Sequence, residues 1–195
     1  MKDVFLLLGS NIGERKPLIE RTLQKITMLP ATIIAHSSLY ETEPWGFDSE
    51  DWFVNMAVWI QTEIEPHQLM EKLLMTESCL GRERKTENEV PQETDAEKYQ
   101  KSVNNGEKER ECHSREHQCR EYHSRTIDID ILFYSDYVID TDNLQIPHPR
   151  LHLRNFALIP LAEIAGEFTH PVLNLTINQL VEKSPDKSRV IKLHL

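Results

Sequence analysis

The chain has 195 residues, 39% hydrophobic and 28% charged, with a formal net charge of −10. That balance suits one domain around one core and argues against a nucleic-acid backbone as partner. Three cysteines make no disulfide framework, the apolar run 4–8 is too short for a signal-peptide core, and no run reaches the roughly 18–20 residues of a membrane span, so a cytoplasmic protein is expected.

Residues 4–8 (Val-Phe-Leu-Leu-Leu) read as a buried strand, closed by the turn residues Gly9, Ser10, Asn11 and Gly13. The Gly-Ser-Asn-Ile-Gly stretch lacks the Gly-Lys-Ser/Thr ending of a phosphate-binding P-loop and is read as a turn. A helix is expected over 16–29. Pro17 falls in its first turn, Leu18, Ile19, Leu23, Ile26 and Leu29 form its apolar stripe, and Pro30 stops it. Residues 32–40 suit a second strand that runs into a loop containing Thr42, Pro44, Trp45 and Gly46. An aromatic there either covers the core or walls a pocket.

Residues 53–62 show the cleanest alternation. Val54, Met56, Val58 and Ile60 share one face, and Phe53, Asn55, Ala57 and Trp59 the other, so a central strand with both faces covered is expected. Asn55, on an apolar face, needs partners: backbone groups, or the edge of a planar heterocycle. A helix follows, with Pro66 near its start, Leu69, Leu73, Leu74 and Leu80 inward, and Gly81 as C-cap. Arg82, Arg84 and Lys85 then complement the helix dipole or meet polyphosphate.

Residues 86–123 carry ten Asp/Glu against six Lys/Arg and few apolar side chains. Such a stretch cannot bury enough surface to offset its ordering entropy, and it reads as a long polar loop. Cys112, His113, His117, Cys119 and His123 are residue types that suit Zn²⁺, at a spacing that fits no standard template.

In residues 125–134, Ile127, Ile129 and Ile131 alternate with Asp128 and Asp130. The period is that of a strand. Its two carboxylates stand roughly 6.5–7 Å apart along one face. They face water, or they share a hard cation such as Mg²⁺. A short hairpin is expected over 138–140 and 144–146. His148 then stands between Pro147 and Pro149, with Arg150, Arg154 and Phe156 beyond. Residues 155–165 are helical in pattern, interrupted or restarted at Pro160, and Thr176-Ile177-Asn178-Gln179 is a capping box for a last helix to about Lys183. The order β-α-β-β-α-β predicts an α+β ferredoxin-like sandwich with a C-terminal helical extension and a long polar insertion at about 86–121, all in one domain, 1–195. Carboxylates with arginines and no evident nucleophile suit direct phosphoryl transfer to a hydroxyl.

Six pieces in order resemble 6-hydroxymethyl-7,8-dihydropterin pyrophosphokinases of folate biosynthesis. They are Ser38-Leu39-Tyr40-Glu41-Thr42-Glu43-Pro44-Trp45-Gly46, Phe53-Val54-Asn55, Gly81-Arg82-Glu83-Arg84, Arg125-Thr126-Ile127-Asp128-Ile129-Asp130-Ile131-Leu132, Ile146-Pro147-His148-Pro149-Arg150 and Arg154-Asn155-Phe156. The resemblance implies a ferredoxin-like fold and transfer of the β,γ-pyrophosphoryl group of ATP to the pterin hydroxymethyl, releasing AMP; a monomer is expected. It implies two Mg²⁺ on Asp128 and Asp130. Arg82, Arg84, Arg125 and His148 would meet ATP phosphates, with Glu77, Ile131 and Arg154 near the nucleotide. Asn55 would read the pterin edge, joined by the backbone of Thr42, Pro44 and Trp45. Phe53 and Phe156 would supply the aromatic wall. The chain departs from the family before the Asp strand, where relatives have a short loop ending Trp-Gly-Pro-Arg. Here the loop is much longer and ends Tyr122-His123-Ser124-Arg125, with Tyr122 in the tryptophan's place.

Overall fold

In the computed structural model, which describes residues 1–45, 51–81 and 126–194, the strand β1 (Lys2–Ser10) is central. Its residues alternate strictly between two cores. Val4, Leu6 and Leu8 enter one, and Phe5 and Leu7 the other, all at most 4% exposed. Each such side chain contributes roughly 1.5–3 kcal/mol of burial. The strand extends two residues past the predicted end at Leu8. Gly9 and Ser10 belong to the ladder, because Gly9 pairs with Asn55 and with Asp128.

The helix α1 (Arg15–Ile26) ends three residues before the expected Leu29, and turns cover 27–30. The predicted strand 32–40 is two strands, β2 (Ala31–His36) and β3 (Tyr40–Thr42). Both lie along β4 (Phe53–Thr62), β2 beside its C-terminal half and β3 beside its start. Ser37 makes the break. Its amide donates to Ala57 O at 2.9 Å, and its hydroxyl accepts from Ala57 N at 3.0 Å. A side chain thus replaces a backbone carbonyl and interrupts the ladder without leaving a buried amide unpaired. The helix α2 (Pro66–Cys79) has proline in its first turn, and Gly81 follows it at φ +94, the left-handed conformation expected of a glycine closing a helix.

The strand β5 (Asp128–Tyr134) completes the sheet, whose order is β5-β1-β4-β3 with a last edge strand, β8 (Val190–Lys192), that the sequence did not suggest. All its pairings are antiparallel. The register of β5 on β1 slips between Phe5, opposite Phe133, and Leu6, opposite Ile131, so Leu132 is an extra bulged residue. The bulge puts Leu132 and Phe133 in the same core, while Ile127, Ile129 and Ile131 enter the other.

The expected hairpin is β6 (Ile139–Asp140) with β7 (Gln145–Ile146). The helix α3 (Asn155–Ala165) runs through Pro160 without a break. The helix α4 (Ile177–Lys183) opens with the complete capping box of Thr176 and Gln179. One face of the sheet packs on α1 and α2 through Leu18, Ile19, Ile26, Leu69 and Leu73; the other packs on α3 and α4 through Ala157, Leu158, Leu161, Ile177 and Leu180. The result is a mixed α and β architecture with an antiparallel sheet between helices. Among the described residues, no helix is long and apolar enough to cross a membrane.

Candidate functional site

Four strands reach the same end of the sheet. β1 finishes there at Ser10 and β3 at Thr42, while β4 starts there at Phe53 and β5 at Asp128. Register places Asp128, Gly9, Asn55 and Tyr40 in one row across β5, β1, β4 and β3. Directly opposed residues share a face. Leu7 stands opposite both Asp130 and Ala57, and Leu7 and Ala57 belong to the core on the α3 side. Both aspartates therefore face α3. Each is half-buried.

Asn55 is 3% exposed, and its Nδ2 donates to Thr42 Oγ1 at 2.8 Å. In this arrangement the amide nitrogen faces Thr42 and Oδ1 is on the Gly9 side. A Cβ on Gly9 would come 2.8 Å from Asn55 Oδ1, so any side chain here has to displace the Asn55 amide; close approach rather than a turn favours glycine. Gly9 thus places no side chain in the row between Asp128 and Asn55.

Opposite this floor stands the start of α3. Arg154, 6% exposed, places its guanidinium 4.8 Å from the Trp45 ring centroid and 5.5 Å from that of Phe156. Two aromatic faces and one cation are thus joined, at roughly 0.5–2 kcal/mol per contact. His148 is held from behind by its amide, which donates to the bulged Leu132 O at 3.0 Å, and the Ile146–Pro147 bond before it is cis. Burial pushes its imidazole down to about 4; the Arg154 and Arg150 charges push the same way, and Asp128 opposes them. At neutral pH it is an uncharged hydrogen-bonding group beside Asp128.

The structure brings together Asp128, Asp130, His148, Arg154, Phe156, Trp45, Thr42, Phe53 and Asn55 at this sheet end. Pro44 lies between Thr42 and Trp45. Glu77 and Ile131 are on the opposite face. Glu77 is 1% exposed and its Oε1 accepts from Ile129 N at 2.8 Å; Ile131 is in the α1–α2 core. Arg82, Arg84, Tyr122, Arg125 and the Cys/His set of the insertion lie outside the described residues. Among the described residues no cluster of three or more His, Cys, Asp or Glu could hold a metal. The Asp pair fits a hard cation whose other ligands are water and substrate oxygens, as Mg²⁺ prefers. A separate cleft of about 490 Å³, lined by Asn11, Gly13, Arg15, Glu41, Asp51, Trp52 and Ile191, contains none of the predicted site residues.

Sequence reasoning missed the Thr42 hydroxyl, credited only for its backbone, and Gly9, read as a turn. Register alone could have found Gly9, since the same glycine faces both Asp128 and Asn55.

Residues 5–97 and 89–166 match the family model described as 7,8-dihydro-6-hydroxymethylpterin-pyrophosphokinase. The chain is 33% identical over 168 residues to the 2-amino-4-hydroxy-6-hydroxymethyldihydropteridine pyrophosphokinase of Methylorubrum extorquens, covering 86% of this chain and 85% of that protein. It is 32% identical over 183 residues to the folic acid synthesis protein fol1 of Pneumocystis carinii, covering 94% of this chain and 20% of that one. The chain thus spans about one fifth of the fungal relative. Among solved structures, Plasmodium falciparum HPPK-DHPS wild type with SDX-DHP superposes with a TM-score of 0.61 at 18% identity, over 94% of this chain and 43% of that one, a likeness of fold.

Proposed function

The chain belongs to the 7,8-dihydro-6-hydroxymethylpterin-pyrophosphokinase family, and from that premise we propose that it transfers the β,γ-pyrophosphoryl group of ATP to 6-hydroxymethyl-7,8-dihydropterin. The pterin hydroxyl oxygen bonds to the β-phosphorus and loses its proton. The bond from that phosphorus to the α,β-bridging oxygen breaks, and AMP leaves. The observation that carries this reading is the row Asp128–Gly9–Asn55, which sets a carboxylate pair for charge beside a fixed amide for a heterocycle.

Asp128 and Asp130 would hold Mg²⁺, which supplies charge neutralisation on the phosphates when bound. Arg154 contributes a fixed cation among aromatic faces. Neutral His148 donates a hydrogen bond to a phosphate oxygen without adding charge. Arg82, Arg84 and Arg125, and Glu77 and Ile131, belong to the nucleotide side by family resemblance. Ile131 contributes only backbone, since its side chain is in the core. Asn55 reads the pterin edge with the backbone of Thr42, Pro44 and Trp45, and Phe53, Phe156 and Tyr122 line the ring. Catalysis then rests on positioning and electrostatics. The fold reading that goes with it is a ferredoxin-like sandwich, supported by the strand order β5-β1-β4-β3. One domain, 1–195, with an insertion at about 86–121, acting as a cytoplasmic monomer, completes the proposal.

Incubation with ATP, Mg²⁺ and the hydroxymethyl pterin tests it. AMP is expected only when pterin is present. Pyrophosphate release instead indicates a nucleotidyl transferase, and binding without turnover a non-catalytic module. Asp128→Ala and Asp130→Ala are each expected to lose at least about a hundredfold in kcat while circular dichroism stays that of the parent; near-parental kcat in either removes the metal assignment.

A further inference from the structure

Asp186 lies between α4 and β8, remote in sequence from every residue given a role above. It is 9% exposed. Its Oδ2 accepts the backbone N–H of Asn155 at 2.7 Å, and Asn155 Nδ2 donates to Asp186 O at 2.9 Å. Asn155 is the first residue of α3, so a carboxylate satisfies an amide that has no partner within the helix, at the end where negative charge is favoured. Both flanking residues are wall residues of the site: Arg154 before it and Phe156 after it.

The carboxylate is itself fixed. Its Oδ1 accepts from Ser188 N at 2.9 Å and Ser188 Oγ at 2.7 Å, and the Asp186 amide donates to Ser184 Oγ at 3.3 Å. The chain then continues to Arg189, whose backbone and guanidinium bond to the Glu43 carboxylate, and to β8, where Val190 stands opposite Thr42. The segment 186–190 is therefore strung between the two walls of the site, the start of α3 on one side and β3 with Thr42 on the other.

We propose that Asp186 is a positioning residue for ligand binding. It holds the first turn of α3 so that Arg154 and Phe156 face Asn55 and Thr42 across the site. The role rests on the pterin-binding reading above. Nothing in it requires Asp186 to touch the ligand.

Calorimetric titration of 6-hydroxymethyl-7,8-dihydropterin, in the presence of Mg²⁺ and a non-transferring ATP analogue, tests it on the full chain. Asp186→Ala is expected to raise the pterin Kd about tenfold. Asp186→Asn, whose amide oxygen still accepts from Asn155 N–H, stays within about threefold of the parent. A folded Asp186→Ala with the parental Kd overturns the role. Should that variant not fold, Ser188→Ala, which removes the hydroxyl bond to Asp186 Oδ1, decides: weaker binding at unchanged Tm supports positioning, and parental affinity, or a loss of affinity only in step with a lower Tm, overturns it. Absence of pterin-dependent AMP in the parent chain defeats the kinase reading instead. Acrylamide quenching of Trp45 emission, against a Trp45→Phe control, then still reports on Asp186: greater quenching in Asp186→Ala supports the role, and unchanged quenching overturns it.

Discussion

At the residue scale, the orientation of one amide carries the proposed choice of substrate. An asparagine amide can present either end to a ligand, and the two ends select opposite hydrogen-bonding edges. Here Asn55 Nδ2 donates to the Thr42 hydroxyl, and Oδ1 is the end on the Gly9 side. Thr42→Val keeps the shape and deletes the acceptor, which leaves a buried N–H unpaired at a cost of roughly 1–3 kcal/mol. Pterin affinity is expected to fall about tenfold, with ATP affinity unchanged; equal losses for both ligands in titration would show that the hydroxyl does not set the amide. Gly9→Ala acts from the other side. Its methyl would meet Asn55 Oδ1 at 2.8 Å, and the amide end is the part free to yield. The expected result is a raised KM for pterin with a small change in Tm, measured by steady-state kinetics and calorimetry.

At the scale of elements, several parts follow local rules and others do not. The capping box at Thr176 was legible because reciprocal bonds between Thr176 and Gln179 need only four consecutive residues. Thr176→Ala is expected to cost about 1 kcal/mol, seen as a lower denaturant midpoint at unchanged slope, with kinetics intact because α4 contributes no site residue. The break at Ser37 and the bulge at Leu132 were not legible. Each involves a partner distant in sequence: Ser37 bonds to Ala57 of β4, and the Leu132 carbonyl accepts from His148 in the loop after β7. The bulge matters to function, since it reverses the alternation of β5 after the aspartates and presents the carbonyl that holds His148.

At the scale of the whole molecule, Glu163 joins three elements. Its carboxylate accepts from Ser38 N at 3.0 Å and Ser38 Oγ at 2.9 Å, from Tyr40 OH at 2.8 Å, and from Lys192 Nζ at 3.0 Å. Burial alone would raise its pKa, but the bonds from Lys192, Tyr40 and Ser38 outweigh burial and hold it at about 2. Burial, with the same carboxylate beside it, pushes the Tyr40 phenol up to about 12. A depressed acid stabilises the fold fully above its ordinary pKa and loses that contribution as pH falls through about 2. A raised phenol stabilises fully below its ordinary pKa of 10 and loses that contribution as pH rises through about 12. Glu163→Gln is therefore expected to lower Tm by a few degrees at neutral pH, and the gap to the parent closes towards pH 2; a gap that persists unchanged there would show that the carboxylate's charge is not the source. The Glu163 side chain is 29% exposed and its Lys192 partner 45%, so solvent screening keeps the effect small.

The amino-acid sequence by itself determined the central strands, the two helices after them, the Asp pair, Asn55 and the family, because alternation, helix stops and short motifs are local properties of the chain. Gly9 shows the limit: read along the chain it is a turn residue, and only pairing with Asn55 and Asp128 makes it the residue without a side chain between them in the floor of the site. Tertiary structure alone decided the row of residues across four strands, the placing of Arg154 between Trp45 and Phe156, and the tie from Asp186 to the first turn of α3. Each of these depends on register and helix docking between segments far apart in the chain, and such distances have no signature in a run of neighbouring residues.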